Sequence, residues 1–294
     1  MGISEILLSK RVRRNVRSRQ PRPSVPTTQT IRIRPLTTAA DYAACVELQE
    51  LVWGAGGETI PPIMLLVSQE VGAIAAGAFD HDGRLLGCVF GLTGLRNGRV
   101  AHWSHMLAVR PEARDQGIGR RLKRYQRARL LAMNVSTTYW TFDPLVARNA
   151  HLNLNRLGAT VEEYVPDMYG SGDKSPLDRG IGTDRFVVRW DLRRRAPTGP
   201  REVTRAALSP VVNAIEGVGG SSVPAELPLP RSASVRVEIP RDIHALRDRE
   251  PEQARAWRTT TRRVFLYYMK RGYRVRRFYR NPRDDRRFYV LAKG

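Results

Sequence analysis

Cysteine is nearly absent from these 294 residues, with Cys45 and Cys88 the only two. That number and spacing exclude a disulfide framework and a cysteine-built zinc site. Histidine is scarce too: five residues with no His-x-x-x-His spacing, so no metal is expected. No run of about 18 uncharged apolar residues occurs, which excludes a membrane-spanning helix and any membrane partnership through one. The opening residues are charged and offer only the short Ile6-Leu7-Leu8 run, not the roughly 7 to 15 apolar residues of a secretory signal. A cytoplasmic protein is expected. Lysine is rare as well, supplying five of the 50 basic side chains.

What is abundant is arginine. Fifty Lys and Arg stand against 28 Asp and Glu, a net charge of +22, and 41% of residues are apolar, enough for one large or two small globular units. The charge is unevenly spread. Residues 1–34 hold 9 basic and 1 acidic side chains, 35–190 hold 17 and 16, and 191–294 hold 24 and 11. A near-neutral middle is therefore flanked by basic segments. Residues 1–29 read as a flexible basic arm, too poor in apolar side chains to offset the entropy of ordering. The Pro- and Gly-rich stretch 193–233 reads as a linker or irregular crossover. Residues 30–192 and 234–294 read as a main domain and a small α+β extension.

Periodicity fills in the main domain. Ile31 and Ile33 alternate with Arg32 and Arg34 as in a short strand, and Thr38 followed by Asp41 forms a capping-box signature for a helix. Residues 72–79 and 85–92 read as a hairpin across His81-Asp82-Gly83-Arg84, and 100–109 as a further strand. A helix over 117–133 turns Ile118, Leu122, Tyr125 and Ala128 inward and Arg120, Arg121, Lys123, Arg124 and Arg127 mostly outward. A strand at 138–142, a helix capped by Asp143 with Pro144 at its first position and ended by Gly158, and strands near 160–165 and 185–192 complete the unit. The fold class is α/β (α+β), a sheet layered with helices. In the extension, a strand at 234–239, a helix at 252–271 and a hairpin over 273–291 are expected, with Ala254, Trp257, Thr261, Val264, Phe265 and Tyr268 on one helical face.

The segment with chemical content runs Leu107-Ala108-Val109-Arg110-Pro111-Glu112-Ala113-Arg114-Asp115-Gln116-Gly117-Ile118-Gly119-Arg120. It places a glycine-containing turn between a strand and a helix, where unpaired amides and the positive end of the helix dipole converge. A pyrophosphate fits such a point. Gly117 and Gly119 let it approach the backbone, and Arg114 and Arg120 add positive potential. The lysine followed by Ser/Thr of a P-loop is missing, as is the three-glycine dinucleotide spacing.

The pattern R-x-x-G-x-G after an L-x-V-x-P strand resembles the coenzyme A loop of the GNAT superfamily of acetyltransferases. The longer strings Trp140-Thr-Phe-Asp-Pro-Leu145, Arg148-Asn-Ala-His151 and Leu157-Gly-Ala159 are similar to an uncharacterised bacterial branch of that superfamily. The branch also carries a C-terminal extension, matched here by Glu238-Ile239-Pro240, Ala256-Trp257-Arg258 and Gly272-Tyr273. The resemblance implies a mixed sheet whose strands at 100–109 and 138–142 splay apart. It implies acetyl-CoA or another acyl-CoA as co-substrate. Leu107, Ala108, Val109, Arg114, Asp115, Gln116, Gly117, Ile118, Gly119 and Arg120 would form its binding segment, and Asn149 would hydrogen-bond it. The implied activity is N-acyl transfer, acetyl as the expected group, to an amine of a small-molecule acceptor.

That reaction needs a base for the amine and an acid for the leaving thiolate. His105 is the candidate base, since simple alternation places it in phase with Leu107 and Val109 and sets His102 on the opposite face. Many GNAT enzymes use a tyrosine four residues before the helix-ending glycine as the acid, a position held here by Leu154. Tyr164 and Tyr169 are the candidate substitutes; Glu70 is a further candidate base. Two other functions fit the residues: a GNAT fold that binds an acyl-CoA without catalysis, and a nucleic-acid-binding protein. In the latter, Arg274, Arg276, Arg277 and Arg280 would meet phosphates while Tyr273, Phe278 and Tyr279 stack on bases.

Overall fold

The computed structural model describes residues 31–54, 59–170, 178–194, 208–217 and 222–294. The arm expected over 1–29 lies outside them. In chain order the elements are β1 (Arg32–Pro35), α1 (Ala39–Trp53), α2 (Pro62–Glu70), β2 (Ile74–Phe79), β3 (Leu85–Arg96), β4 (Arg99–Val109), α3 (Ile118–Ala132) and β5 (Thr137–Phe142). Then come α4 (Ala147–Ala150), which runs on as a π-helical turn over His151–Leu157, β6 (Thr160–Val165) and β7 (Arg185–Asp191). These seven strands form one sheet in the order β1-β2-β3-β4-β5-β7-β6. Every neighbouring pair is antiparallel except β4 and β5.

Local chemistry explains the elements. Thr38 Oγ1 accepts from the Asp41 amide and Asp41 Oδ2 accepts from the Thr38 amide, the expected capping box at the start of α1. Helices α1 and α2 seal one face of the first strands around Leu36, Leu48, Leu65, Phe79, Phe90, Met106 and Ala108. Cys45 and Cys88 lie buried in that cluster as free thiols. Helix α3 seals the other face, with Ile118 and Leu122 against Ala76, Val89, Leu107 and Val109. Among the described residues no helix is long and apolar enough to cross a membrane.

The extension contributes β10 (Ser234–Ile239), α5 (Ile243–Arg249), α6 (Pro251–Lys270), β11 (Tyr273–Arg280) and β12 (Arg287–Lys293). Before them, the described part of the stretch read as a linker or irregular crossover holds two short strands paired antiparallel, β8 (Ala214–Glu216) and β9 (Ser222–Pro224). Asn213 ties this segment to β10 through two hydrogen bonds of 2.8 Å with the Glu238 backbone. Pro251 opens α6, and its stripe of Ala254, Trp257, Thr261, Val264, Phe265 and Tyr268 is buried as the spacing predicts. Phe265 and Tyr289 reach Phe186 of β7, with ring centroids 4.8 and 5.5 Å away, so the extension and the second half of the main sheet share one core.

Two sequence expectations are corrected here. Tyr273, Phe278 and Tyr279 are core side chains, 3%, 4% and 6% exposed: the first two join the core shared with α6 and the main sheet, and Tyr279 packs with Phe288, Val290 and Val211; they offer no faces to stack on bases. Asp143 does not cap α4, which begins at Ala147 after Val146. Its Oδ1 accepts from the Leu145 amide at 2.8 Å, and its Oδ2 meets Arg258 Nη2 of α6 at 2.6 Å, with both side chains buried. Arg258 Nε also donates to the Ile181 carbonyl at 2.8 Å. A buried ion pair contributes little over an apolar substitute, but breaking one strands a charge. Arg258→Ala is expected to lower stability by about 3–5 kcal/mol, and the pair Arg258→Met with Asp143→Leu by much less. Urea unfolding midpoints check both.

Candidate active site

The parallel pair β4 and β5 has only two rungs, His102 with Thr138 and Trp103 with Tyr139. Beyond Trp103, β4 stays with β3 as far as Val109, and beyond Tyr139, β5 stays with β7 as far as Phe142. The sheet therefore parts along its middle, as the resemblance implies. Just past the last rung, β4 bulges. Phe90 pairs with Met106 and Leu92 with Trp103, so Gly91 alone faces Ser104 and His105. A Cβ on Gly91 would lie 2.6 Å from the Trp103 carbonyl oxygen and 2.9 Å from Ser104 Cα, and would also strike the His102 ring. Only glycine fits there.

The turn from β4 to α3 passes through a single 3₁₀ turn at Pro111–Ala113, then through Asp115 and Gly117 with φ of 63° and 75°. Gly117 is the N-cap of α3, and no side chain caps that end; the first turn carries no acidic residue. Its leading amides, from Ile118 to Arg120, thus have no intrahelical acceptor. Ile118 itself is buried and anchors the helix, so only its amide is available. A Cβ built on Gly119 would sit 3.6 Å from Leu107 Cδ2 and 3.8 Å from Leu152 Cδ2, in ordinary contact with both walls of the gap. The space above Gly119 is therefore bounded yet empty enough for a side chain.

Positive charge gathers at the same end. Arg114 is half-buried, and its pKa is lowered first by burial and next by the nearby Arg148 of α4. Among the described residues neither guanidinium has an ion-pair partner. Asp115, Gln116 and Arg120 are exposed beside them, and Asn149, one residue past Arg148, is half-buried with its side chain unpaired among the described residues. An anion lodged at the helix start would face two guanidinium groups and a row of amides. The sequence pattern pointed to Arg114 but not to Arg148, whose proximity depends on how α4 folds back.

At the vertex of the gap the structure overturns another expectation. Lys123, expected on the outward face of α3, is 2% exposed. Its Nζ donates to Ser104 Oγ at 2.7 Å and to Gln126 Oε1 at 3.4 Å, and lies 4.0 Å from the centroid of the Trp140 ring. Desolvation pulls its pKa down to about 7. Beside it, His102 is wholly buried between Gln126 and Thr93, at 3.0 Å from each, and Thr93 Oγ1 donates on to the Gly72 carbonyl. Burial and then the Lys123 charge bring His102 to about 3, so it is neutral.

The bulge also breaks the alternation used for His105. His102 and Ser104 face α3, as do Leu107 and Val109, whereas His105 sits edge-on to Phe90 on the side covered by α1 and α2, at a ring separation of 6.5 Å. Ala108 is buried on that same side. His105 itself is exposed, and its pKa is lowered by partial desolvation. Tyr164 is buried beneath α6, its hydroxyl donating to Asp184, which Arg262 also holds; the phenol is pushed far above its usual range and is no free acid. Tyr169 is exposed, and its hydroxyl lies 2.9 Å from Thr141 Oγ1, two residues past the last rung on β5. Glu70 is exposed at the end of α2, and Leu154 is half-buried in the π turn. A cavity of about 410 Å³, lined in part by Leu92, Leu95, Arg96, Trp103 and Tyr139, adjoins the last rung.

No family model matches the sequence, and no curated protein matches it. Solved structures similar to the chain include the NatC complex bound to Gag peptide and CoA, at 15% identity over 55% of this chain and 98% of that one, with a TM-score of 0.45. The ribosomal-protein-S18-alanine N-acetyltransferase from Escherichia coli is similar at 15% identity, over 58% and 100% of the two chains, with a TM-score of 0.42. An aminoglycoside 6'-N-acetyltransferase complexed with coenzyme A is similar at 14% identity, over 57% and 99%, with a TM-score of 0.41.

The buried vertex sets a pH dependence of stability. Lys123 has a folded pKa near 7 against 10.5 for the free group, so the unfolded chain binds more protons between those values and stability rises with pH across that window. At 1.36 kcal/mol per unit the full rise is about 5 kcal/mol. Lys123→Met is expected to remove that rise, seen as a flatter difference curve in denaturant titrations from pH 7 to pH 10. For His102 the stability present above pH 6.5 is lost as pH falls towards about 3.

Proposed function

We propose that residues 31–192 catalyse transfer of an acyl group, acetyl in the first instance, from an acyl-coenzyme A to the nitrogen of an amine, as in the GNAT superfamily that the sequence resembles. One observation carries this reading: two strands stop pairing beside a helix start whose amides are uncapped and whose Gly119 would admit a Cβ at ordinary contact distance. The residues there suit a phosphate-bearing carrier. The amides of Gly119 and Arg120 and the guanidiniums of Arg114 and Arg148 would hold its anionic part, with Asn149 as a further donor. The freed edge of β4 from Ser104 to Val109 would pair with an extended arm in the manner of an added strand.

The carrier supplies a thioester, whose carbonyl carbon accepts a nucleophile. The chain supplies position and proton transfer. His105, neutral near pH 7 because its pKa is lowered, accepts a proton from the incoming ammonium on the face shared with Trp103 and α1. A freed β4 amide next to the bulge would stabilise developing negative charge on the carbonyl oxygen. A small amine approaches over the cavity beside Trp103 and Tyr139.

Isothermal calorimetry with acetyl-CoA, followed by a free-thiol assay across amines, amino acids and aminoglycosides, tests the proposal. Binding with thiol release from at least one acceptor is expected; absence of binding refutes it. Binding without turnover for any acceptor turns the assignment to a non-catalytic carrier-binding protein. Gly119→Val is expected to abolish acetyl-CoA binding, since a Cβ there already meets Leu107 and Leu152 at ordinary contact distance and the added methyls fill the remaining gap; a thermal melt checks that the variant is folded. His105→Ala is expected to lower turnover roughly 100-fold while leaving acetyl-CoA affinity unchanged.

A further inference from the structure

Ser104 and Trp140 are the first residues past the last rung on β4 and β5, and Lys123 touches both. A lysine amine in a dry interior is costly unless its charge is used, and an apolar residue of similar length would pack there at lower cost. No carboxylate stands against it among the described residues. From β4 it faces His102 and Ser104, from its own helix Gln126, and from β5 Trp140; the single titratable group among these, His102, is neutral. The cation is therefore uncompensated at the one place where the sheet opens.

We propose that Ser104 and Lys123 form the proton-donating pair for the departing sulfur of the thioester, with Ser104 Oγ in contact with the sulfur and Lys123 acting through Ser104. The inference rests on the acyl-CoA reading above and fills a role that reading leaves vacant. Leu154 stands where a tyrosine acid would be, Tyr164 is spent on Asp184, and Tyr169 lies over Thr141, beside Tyr139 on the face of β5 away from Lys123. As the new carbon–nitrogen bond forms and the carbon–sulfur bond breaks, the bonding pair stays on sulfur. Ser104 passes its hydroxyl proton to the sulfur and takes one from the Lys123 ammonium. Lys123, now a neutral amine, regains the proton released by the acceptor nitrogen, returned by water through the emptied gap and Ser104.

The energetics favour that direction. An ordinary lysine near 10.4 would keep its proton in the presence of a thiolate near 8.5. Lys123, brought down to about 7, gives it up. Gln126 holds the amine on line with Ser104, and its other end is fixed by His102. The freed edge of β4 runs from Val109, whose Cγ2 lies 4.0 Å from a Cβ built on Gly119, to Ser104, which holds Lys123; at roughly 3.3 Å per residue an arm extended along it leads from the cradle to the pair.

The chain has five lysines, which makes the side-chain titration of Lys123 resolvable by NMR with labelled lysine. Coenzyme A and desulfo-coenzyme A are compared, with binding of each verified by calorimetry. A sulfur in contact with Ser104 Oγ enters the Lys123–Ser104 hydrogen-bond chain, so coenzyme A is expected to shift the Lys123 midpoint measurably and the desulfo compound to leave it unchanged. Equal midpoints with both ligands bound overturn the proposal and leave the acyl-CoA reading standing. Failure of both ligands to bind overturns that reading and this one with it. Ser104→Ala, which removes one oxygen from a buried site, is expected to keep coenzyme A affinity and lower thiol release at least tenfold, whereas Ser104→Cys restores part of it. Wild-type release with an unchanged pH profile in both Ser104→Ala and Lys123→Met also overturns the proposal.

Discussion

Two rungs of parallel pairing are all that join the halves of the seven-stranded sheet, and every other feature of the candidate site answers to that seam. Backbone donors and acceptors left in a sheet interior must find partners. The freed edges of β4 and β5 find none in each other, so water or an extended ligand must serve them. A seam this short also needs a brace, and α3 supplies it. Ile118 and Leu122 hold the first half, while Lys123 under Trp140, Arg127 donating to the Leu192 carbonyl at 2.7 Å, and Leu130 in the larger core hold the second. The helix whose leading amides are left uncapped is thus the one that spans the opening.

Much of this frame is legible in the sequence because it depends on neighbours a few residues apart. The capping box at Thr38, the α6 stripe, the hairpins and the strand-turn-helix at Gly117 all rest on spacing within one turn or one strand. The misreadings share a different cause. Lys123 sits among arginines on a helix whose polar side normally faces water, and nothing local says that this side crosses a seam. The bulge that reverses the phase between His102 and His105 is permitted by Gly91, a residue on another strand. Periodicity within β4 could not reveal it.

Position relative to distant elements also decides the aromatic residues of the extension. Tyr273, Phe278 and Tyr279 interleave with arginines in a way that suits base stacking in isolation. In the folded chain a register shift between Val275 and Arg277 breaks the alternation: Tyr273 and Phe278 join the large core, while Tyr279 packs with Phe288 and Val290 in a small separate cluster. Arg274, Arg276 and Arg280 stay exposed and Arg277 is half-buried, so most of the charge survives as surface while the rings do not.

Three of the extension's arginines do something more specific than raise the net charge. Arg258, Arg262 and Arg286 each hold a buried carboxylate: Asp143, Asp184 and Glu238. Asp143 follows the last residue of β5 and Asp184 precedes the first of β7, so the two pairs lock the end of the sheet half that diverges. Tyr289 adds a 2.7 Å hydrogen bond to the Pro144 carbonyl, in the turn that leads into α4. That helix carries Arg148 and Asn149 and continues to Leu152, the far wall above Gly119. A core of fixed packing transmits such placement because it deforms little. The extension thereby sets the width of the gap at its mouth, through guanidinium forks whose planar geometry lysine could not reproduce.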